Sequence, residues 1–135
     1  MKSTAIWTKD FQSVVDNGRS HSAIIDLPEE KGGGNSGPTA LEMCVMSLCG
    51  CISTIFARVA TKMKIEFENY KVEVYAEQEQ GAPTITDAHC VLYVHTQCPE
   101  ERVERCFETT IKNCPVGTLF SQAGVLITHE VIVTN

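Results

Sequence analysis

The feature that most constrains the fold is a long apolar segment that runs from Thr39 to about Lys64. Thr39-Ala40-Leu41-Glu42 has the spacing of a capping box, in which Thr39 is the N-cap and Glu42 occupies the third helical position. Apolar residues then occupy nearly all faces of the predicted helix. In a soluble protein such a helix is buried all round, so the sequence predicts a central helix that other elements cover.

Strands are predicted on both sides of this helix. Asp16-Asn17-Gly18-Arg19 is favourable for a hairpin turn. Gln80-Gly81-Ala82-Pro83 is a second turn candidate, between two segments of alternating hydrophobicity that predict another hairpin. The predicted strands cover residues 4–8, 11–15, 22–27, 70–76, 84–97 and 125–133.

A second helix is predicted between Pro99 and Cys114. Pro99 and the acidic residues after it favour a helix start. Val103, Phe107 and Cys114 fall on one face at helical spacing. Pro115 predicts a break or kink directly after Cys114.

Charge and hydropathy exclude several functional classes. The formal net charge is −6 and the eleven basic residues are scattered, which argues against nucleic-acid binding. No N-terminal run has the order of a signal peptide. We expect no stretch that reaches the length of a membrane span, because the longest apolar region, Met43–Ala60, is interrupted by polar residues. A cytoplasmic location is the resulting expectation.

Seven cysteines are the unusual count in this composition. An odd number without a signal peptide does not suggest a secreted disulfide framework, so most should be reduced and packed as small hydrophobic residues. The spacing of Cys44, Cys49 and Cys51 within one helix turns their thiols apart, and the four histidines have no metal-ligand spacing. We therefore expect neither a metal site nor a cofactor.

Two cysteines have a context that suggests chemistry. Cys51 follows Gly50, and a glycine inside a helix costs about 1 kcal/mol relative to alanine, which usually marks the close approach of another group. Cys114 lies at a helix end that can reorganise, as a thiol must to form a disulfide. Cys90, Cys98 and Cys106 fit core positions and are assigned no chemistry.

The sequence resembles the OsmC/Ohr family of osmotically inducible and organic hydroperoxide resistance proteins. The resemblance rests on Gly37-Pro38-Thr39-Ala40-Leu41-Glu42, the apolar helix to Gly50-Cys51, and Asn113-Cys114-Pro115-Val116. It implies that residues 1–135 form a single OsmC-like α+β domain. It also implies an intertwined homodimer in which antiparallel sheets wrap two long central helices.

The resemblance implies a two-cysteine peroxidase that reduces organic hydroperoxides, and hydrogen peroxide as a further substrate. Cys51 matches the peroxidatic cysteine and Cys114 the resolving one. A thiolate attacks the O–O bond and becomes a sulfenic acid, which a second thiol converts to a disulfide. A dithiol reductant would complete the cycle, with a lipoylated protein, thioredoxin or a small thiol as the candidates.

The supporting groups are less well matched. Family peroxidases use an arginine from the N-terminal half and a glutamate near the start of the central helix. Glu42 is near that glutamate, but it is nine residues before Cys51 and so about 180° around a straight helix; it serves equally well as a capping residue. Arg19 and Lys9 are cation candidates by region, and Arg58, two turns beyond Cys51, by geometry.

Three alternatives stay open. Cys49 competes with Cys51 for the attacking role, and Cys44 shares the face of Cys51. The protein could instead bind a small molecule or lipid with little turnover, because no arginine–glutamate pair aligns. It could also sense redox state through the same two thiols.

Overall fold

The computed structural model describes all 135 residues, which cluster into two compact units, Met1–Cys44 and Val45–Asn135. The fold is mixed α+β with three α-helices and two three-stranded sheets. That residues 1–135 act as one domain remains a prediction.

The first unit contains an antiparallel sheet in the order β1-β2-β3. The strands are β1 (Thr4–Lys9), β2 (Gln12–Asp16) and β3 (Ser22–Ile25). β2 and β3 form the predicted hairpin, in which Ser13 pairs with Ile25 and Asp16 with Ser22. Gly18 has a φ of 72°, the left-handed conformation that a hairpin turn needs and glycine adopts at little cost.

The glycine-rich loop after β3 is organised by the buried carboxylate of Asp26. It accepts hydrogen bonds from the backbone N–H groups of Leu27 (2.8 Å), Ser36 (3.1 Å) and Gly34 (3.2 Å). These bonds, chiefly that from Ser36, lower the pKa of Asp26 below its ordinary 3.8 despite burial. The loop is also tightly packed, because a Cβ on Gly33 would lie 1.9 Å from the carbonyl oxygen of Leu27.

We predict that Asp26→Ala loosens this loop, because three backbone donors lose their acceptor. Limited proteolysis should cut residues 28–38 several-fold faster in the variant, while Asp26→Asn, which keeps one acceptor oxygen, should be intermediate. The folded pKa is lowered, so the stabilisation should be complete above pH 3.8 and be lost as the pH falls through the folded value. Equal cutting of all three proteins would contradict this role.

Helix α1 (Ala40–Met63) begins with the predicted capping box. The backbone N–H of Thr39 donates to Glu42 Oε2 (2.7 Å), and the N–H of Glu42 donates to Thr39 Oγ1 (3.2 Å). The bond from the Thr39 backbone N–H, followed by one from the Thr39 hydroxyl, lowers the pKa of the Glu42 carboxyl. Glu42 is therefore a capping residue, which is one of the two roles that the sequence allowed.

The expectation that α1 is buried all round is wrong for the single chain. Only one line of residues spaced four apart is fully buried: Leu48, Ile52, Phe56 and Ala60. The remaining residues of α1 are half-buried or exposed, and Met46 is 54% exposed. By its length and its mean hydropathy of 1.8, α1 could cross a membrane. The expectation that no stretch is long enough is therefore also wrong. The core helix of a soluble protein can have the same length and composition.

The second unit contains a sheet in the order β4-β5-β6, formed by β4 (Asn69–Glu77), β5 (Asp87–His95) and β6 (Leu126–Thr134). β4 and β5 form the predicted antiparallel hairpin. β5 and β6 are parallel, so the expectation of wholly antiparallel sheets is wrong for this pair. The reason is the helical crossover between the two strands, which returns the chain to the same end of the sheet.

The crossover contains α2 (Glu100–Lys112), which was predicted, and α3 (Pro115–Gln122), which was not. Pro115 ends the first helix and also occupies the first turn of the next, where its missing N–H costs nothing. Phe107 of α2 packs on Phe56 of α1 with the rings 6.3 Å apart and nearly perpendicular. The helices therefore share one core with the inner face of the sheet.

Candidate active site

The thiols of Cys51 and Cys114 lie close together in the second unit. Cys51 is on α1 and half-buried, and Cys114 is the fully buried residue between α2 and α3. The Cys51 side chain is near enough to Cys114 to be one of the groups that raise the pKa of its thiol. Both cysteines are reduced. The structure thus brings together the two residues that the resemblance implied, across 63 residues of sequence that local patterns cannot connect.

Hydrogen bonds hold Cys114 in place at the start of α3, so this helix end is less free to reorganise than the sequence suggested. Its Sγ accepts a hydrogen bond from the backbone N–H of Gly117 (3.2 Å), so that the thiol caps α3. Its carbonyl oxygen accepts from the N–H of Thr118 (2.9 Å). A Cβ on Gly117 would lie 3.3 Å from Cys114 Cβ, which is a tight contact that glycine avoids.

Burial determines the protonation state of Cys114. Burial first, and then the neighbouring Cys51, raise the pKa of the Cys114 thiol to about 11, while the N–H of Gly117 opposes the rise. Cys114 is therefore a protonated thiol at neutral pH. A protonated thiol is a poor nucleophile, so Cys114 attacks slowly until its surroundings change. Cys51, in contrast, is only half-buried and can be reached from solvent.

Gly50 does not have the close neighbour that the sequence suggested. A Cβ at this position would meet nothing within 4 Å, and the residue is exposed. The expectation of a close approach is therefore wrong for the single chain.

The competing cysteines have other surroundings. Cys49 Sγ donates to the carbonyl oxygen of Val72 on β4 (3.3 Å), and burial followed by the charge of Glu73 raises the pKa of its thiol. Cys44 is exposed and belongs to the first unit. Neither is among the groups that shift the pKa of Cys114, whereas Cys51 is.

The cation candidates do not complete this site within the second unit. Arg58 is exposed and forms no ion pair, and no lysine or arginine is among the groups that shift the pKa of Cys114. Arg19 is exposed in the β2–β3 turn of the first unit, with its backbone N–H bonded to Asn17. Lys9, at the end of β1, is also exposed.

Sequence reasoning missed two residues beside the thiol pair. The backbone N–H of Gly117 donates to Cys114 Sγ, and the Gly117 backbone packs closely against the Cys114 side chain. Cys90 is fully buried on β5, and burial, with Cys114 and Cys49 nearby, raises the pKa of its thiol to about 12. The alternating pattern of β5 placed Cys90 on the inner face, but nothing local indicates which thiols lie above it.

Comparison with known proteins gives the family. A model of the OsmC-like protein family matches residues 32–130, a range that includes both Cys51 and Cys114. The chain belongs to the OsmC-like family. The resemblance drawn from the helix entry and the two cysteine motifs is therefore confirmed, and a search of curated protein sequences finds no match.

Solved structures of OsmC-like proteins share the fold. An OsmC-like protein from Mycoplasma pneumoniae has a TM-score of 0.85 at 16% identity, with 99% of this chain and 96% of that chain covered. An organic hydroperoxide resistance protein from Legionella pneumophila has a TM-score of 0.73 at 15% identity, with 98% of each chain covered. Another from Elizabethkingia anophelis has a TM-score of 0.73 at 16% identity, covering 98% of this chain and 94% of that chain. At these identities the likeness concerns the fold.

Proposed function

We propose that this OsmC-like protein is a thiol-dependent peroxidase that reduces organic hydroperoxides, and hydrogen peroxide as a further substrate, with Cys51 as nucleophile and Cys114 as resolving thiol. The observation that carries the proposal is the proximity of a solvent-accessible Cys51 to a buried, protonated Cys114. Two structural neighbours named organic hydroperoxide resistance proteins support the substrate class. The seven free cysteines suit the reducing cytoplasm, where we place the reaction.

The proposed cycle uses no cofactor. The Cys51 thiolate attacks the distal oxygen of the hydroperoxide, the O–O bond breaks, and the alcohol leaves with one proton. Cys51 is then a sulfenic acid. Cys114 attacks that sulfur, water leaves, and a Cys51–Cys114 disulfide forms. A dithiol from a reductant such as a lipoylated protein, thioredoxin or a small thiol restores both thiols.

The surroundings of Cys114 set the order of these steps. After burial, which is the largest cause, a hydrogen bond and the charge of an ionised Cys51 also raise the pKa of Cys114. Oxidation to the uncharged sulfenic acid removes that charge. The pKa of Cys114 should then fall, so the resolving thiol becomes a better nucleophile only after the peroxide has reacted.

Cys114→Ser should stop the cycle after one turnover and leave Cys51 as a sulfenic acid, because no thiol lies in position to resolve it. Dimedone labelling of Cys51 after peroxide should rise by about tenfold over the parent protein. Cys98→Ser is the matched control, since Cys98 is half-buried but is not a neighbour of Cys114. Continued turnover of Cys114→Ser with a dithiol at the parent rate would remove Cys114 from the mechanism.

The proposal includes a homodimer as the working form, whose second copy would cover the exposed apolar surfaces. All of β1 is exposed, and Ile6 and Trp7 are 63% and 68% exposed. Contiguous exposed apolar surface usually marks an interface. The family resemblance implies an intertwined dimer. In such a dimer, Arg19 of one copy could lie beside the thiols of the other.

We predict that light scattering gives the mass of a dimer and that Trp7, the one tryptophan, emits at the short wavelengths of a buried indole. Ile6→Glu should weaken association by placing a charge in the apolar contact, whereas Lys2→Glu at the exposed start of the chain should not. A monomer with a water-exposed tryptophan emission would contradict the dimer.

A second candidate function is small-molecule or lipid binding, or redox sensing, with little turnover. It is favoured because Glu42 caps α1 instead of holding an arginine, and because Arg58 is exposed. The rate at which iodoacetamide alkylates Cys51 near pH 7 separates the candidates. Fast labelling indicates an activated thiolate and supports the peroxidase, whereas labelling that becomes fast only at alkaline pH supports binding.

A further inference from the structure

Cys90 occupies the middle of the sheet beneath the two reactive thiols. β5 is the central strand, and in it Cys90 pairs with Val74 of β4 on one side and His129 of β6 on the other. It is fully buried and lies on the inner face with Ala88 and Leu92, within the core shared with the helices.

The helices bring three other thiols to this point. α1 lies over the β4 side of the sheet, since Cys49 bonds to the Val72 carbonyl and the Tyr70 hydroxyl lies 3.2 Å from Ser53 Oγ. α2 and α3, which flank Cys114, contact β6 on the other side. Cys90 therefore lies on the strand between those that α1 and the α2–α3 pair contact, in the same core as Cys114 and Cys51. Consistent with this placement, Cys114 and Cys49 are, after burial, the two neighbouring thiols that raise the pKa of Cys90.

We propose that Cys90 is a third redox thiol, which takes the disulfide from Cys51 by attacking Cys114. This step rests on the proposed function, because it starts from the Cys51–Cys114 disulfide. The Cys90 sulfur forms a bond to Cys114 Sγ, the Cys51–Cys114 bond breaks, and Cys51 leaves as a thiolate. The proton of Cys90 is released, and no further oxidant or reductant is consumed.

The exchange is expected to follow the formation of the Cys51–Cys114 disulfide. Burial raises the pKa of Cys90, so its thiolate is rare and the step is slower than formation of the first disulfide. Its product stores the oxidising equivalent in the core, on two residues that are fully buried. Cys51 is free to meet a second peroxide before any reductant has acted.

Disulfide mapping tests the proposal directly. After trypsin, Cys114 is the one cysteine in residues 113–135, and Cys51 lies in 32–58 together with Cys44 and Cys49, so Cys51→Ser serves as the control for that linkage. Cys90 lies in 72–102. The last also contains Cys98, so the protein is studied both as it is and as Cys98→Ser. One equivalent of cumene hydroperoxide is added without reductant, and samples are quenched in acid over time.

We expect the 113–135 peptide to be linked first to 32–58 and later to 72–102, while Cys51 regains its reactivity toward iodoacetamide. Cys90→Ala and Cys90→Val should both stop at the first linkage. Cys106→Ala, which removes a buried thiol that is not a neighbour of Cys114, should behave as the parent.

Two failures are distinguishable. A first linkage that persists, with Cys90 never joined to Cys114, overturns the role of Cys90 and leaves the peroxidase proposal standing. Absence of the first linkage, with the peroxide unconsumed, is failure of the proposed function itself.

Discussion

Replacing Cys51 with serine is expected to abolish the consumption of cumene hydroperoxide, with a fall in rate of roughly a thousandfold or more. A serine hydroxyl does not ionise near neutral pH and is a poor nucleophile toward the O–O bond. Cys114 cannot replace it, because burial keeps that thiol protonated and away from solvent. Stopped-flow measurement of peroxide loss, with a dithiol present in excess, gives the rate.

Cys49→Ser is the matched control for this change. It removes a thiol from the same helix two residues away, but one whose Sγ is bonded to the Val72 carbonyl. Its rate should stay within a few-fold of the parent. Unchanged consumption in Cys51→Ser would eliminate Cys51 as the nucleophile, and loss confined to Cys49→Ser would transfer that role to Cys49.

Phe56→Ala is expected to lower the free energy of unfolding by about 3–5 kcal/mol. Phe56 is fully buried on the inner line of α1, and its ring centroid lies 4.9 Å from that of Tyr70 and 5.8 Å from that of Phe67. Its contact with Phe107 also joins α1 to α2. Truncation removes these contacts and leaves a cavity that a helix and a sheet cannot close by small movements.

Urea unfolding followed by far-UV circular dichroism measures this effect, at a fixed protein concentration because a dimer would make the midpoint concentration-dependent. Phe56→Leu keeps most of the side-chain volume and should cost less, about 1.5 kcal/mol or below. A loss below about 1 kcal/mol in Phe56→Ala would show that the core does not depend on this ring.

The elements that the sequence predicted correctly are those with a local physical cause. The capping box at Thr39 and Glu42 locates the start of α1, and Pro99 locates that of α2. Alternating hydrophobicity locates β4, β5 and β6 to within a few residues. Each depends on neighbours in the sequence, so each can be read without knowledge of the tertiary fold.

The elements that were wrong or missed depend on distant residues. The parallel pairing of β5 with β6 follows from how the crossover returns the chain, which no strand pattern records. Apolar periodicity could not separate a helix covered by its own chain from one like α1, which leaves Met46 exposed. α3 was missed because Pro115 marks both the end of one helix and the start of the next.

The sequence predicted which two cysteines form the candidate site, but not the residues that surround them. The motifs around Cys51 and Cys114 singled out two thiols that the structure places close together. Their catalytic roles stay a prediction. The bond from Gly117 and the position of Cys90 arise from a helix junction and a central strand meeting in space, which the sequence pattern does not encode. The cation that the chemistry needs does not follow from helix spacing, since Arg58 is exposed and unpaired.

The central claim is that an organic hydroperoxide converts Cys51 and Cys114 into a disulfide within one turnover. The most direct measurement adds one equivalent of cumene hydroperoxide, quenches during the first turnover, and combines thiol counting in denaturant with peptide mapping. We expect one equivalent of alcohol, the loss of two of the seven free thiols per chain, and a linkage between residues 32–58 and 113–135 that is absent in Cys51→Ser. Intact peroxide with all seven thiols still free, or an initial disulfide that excludes Cys51, would contradict it.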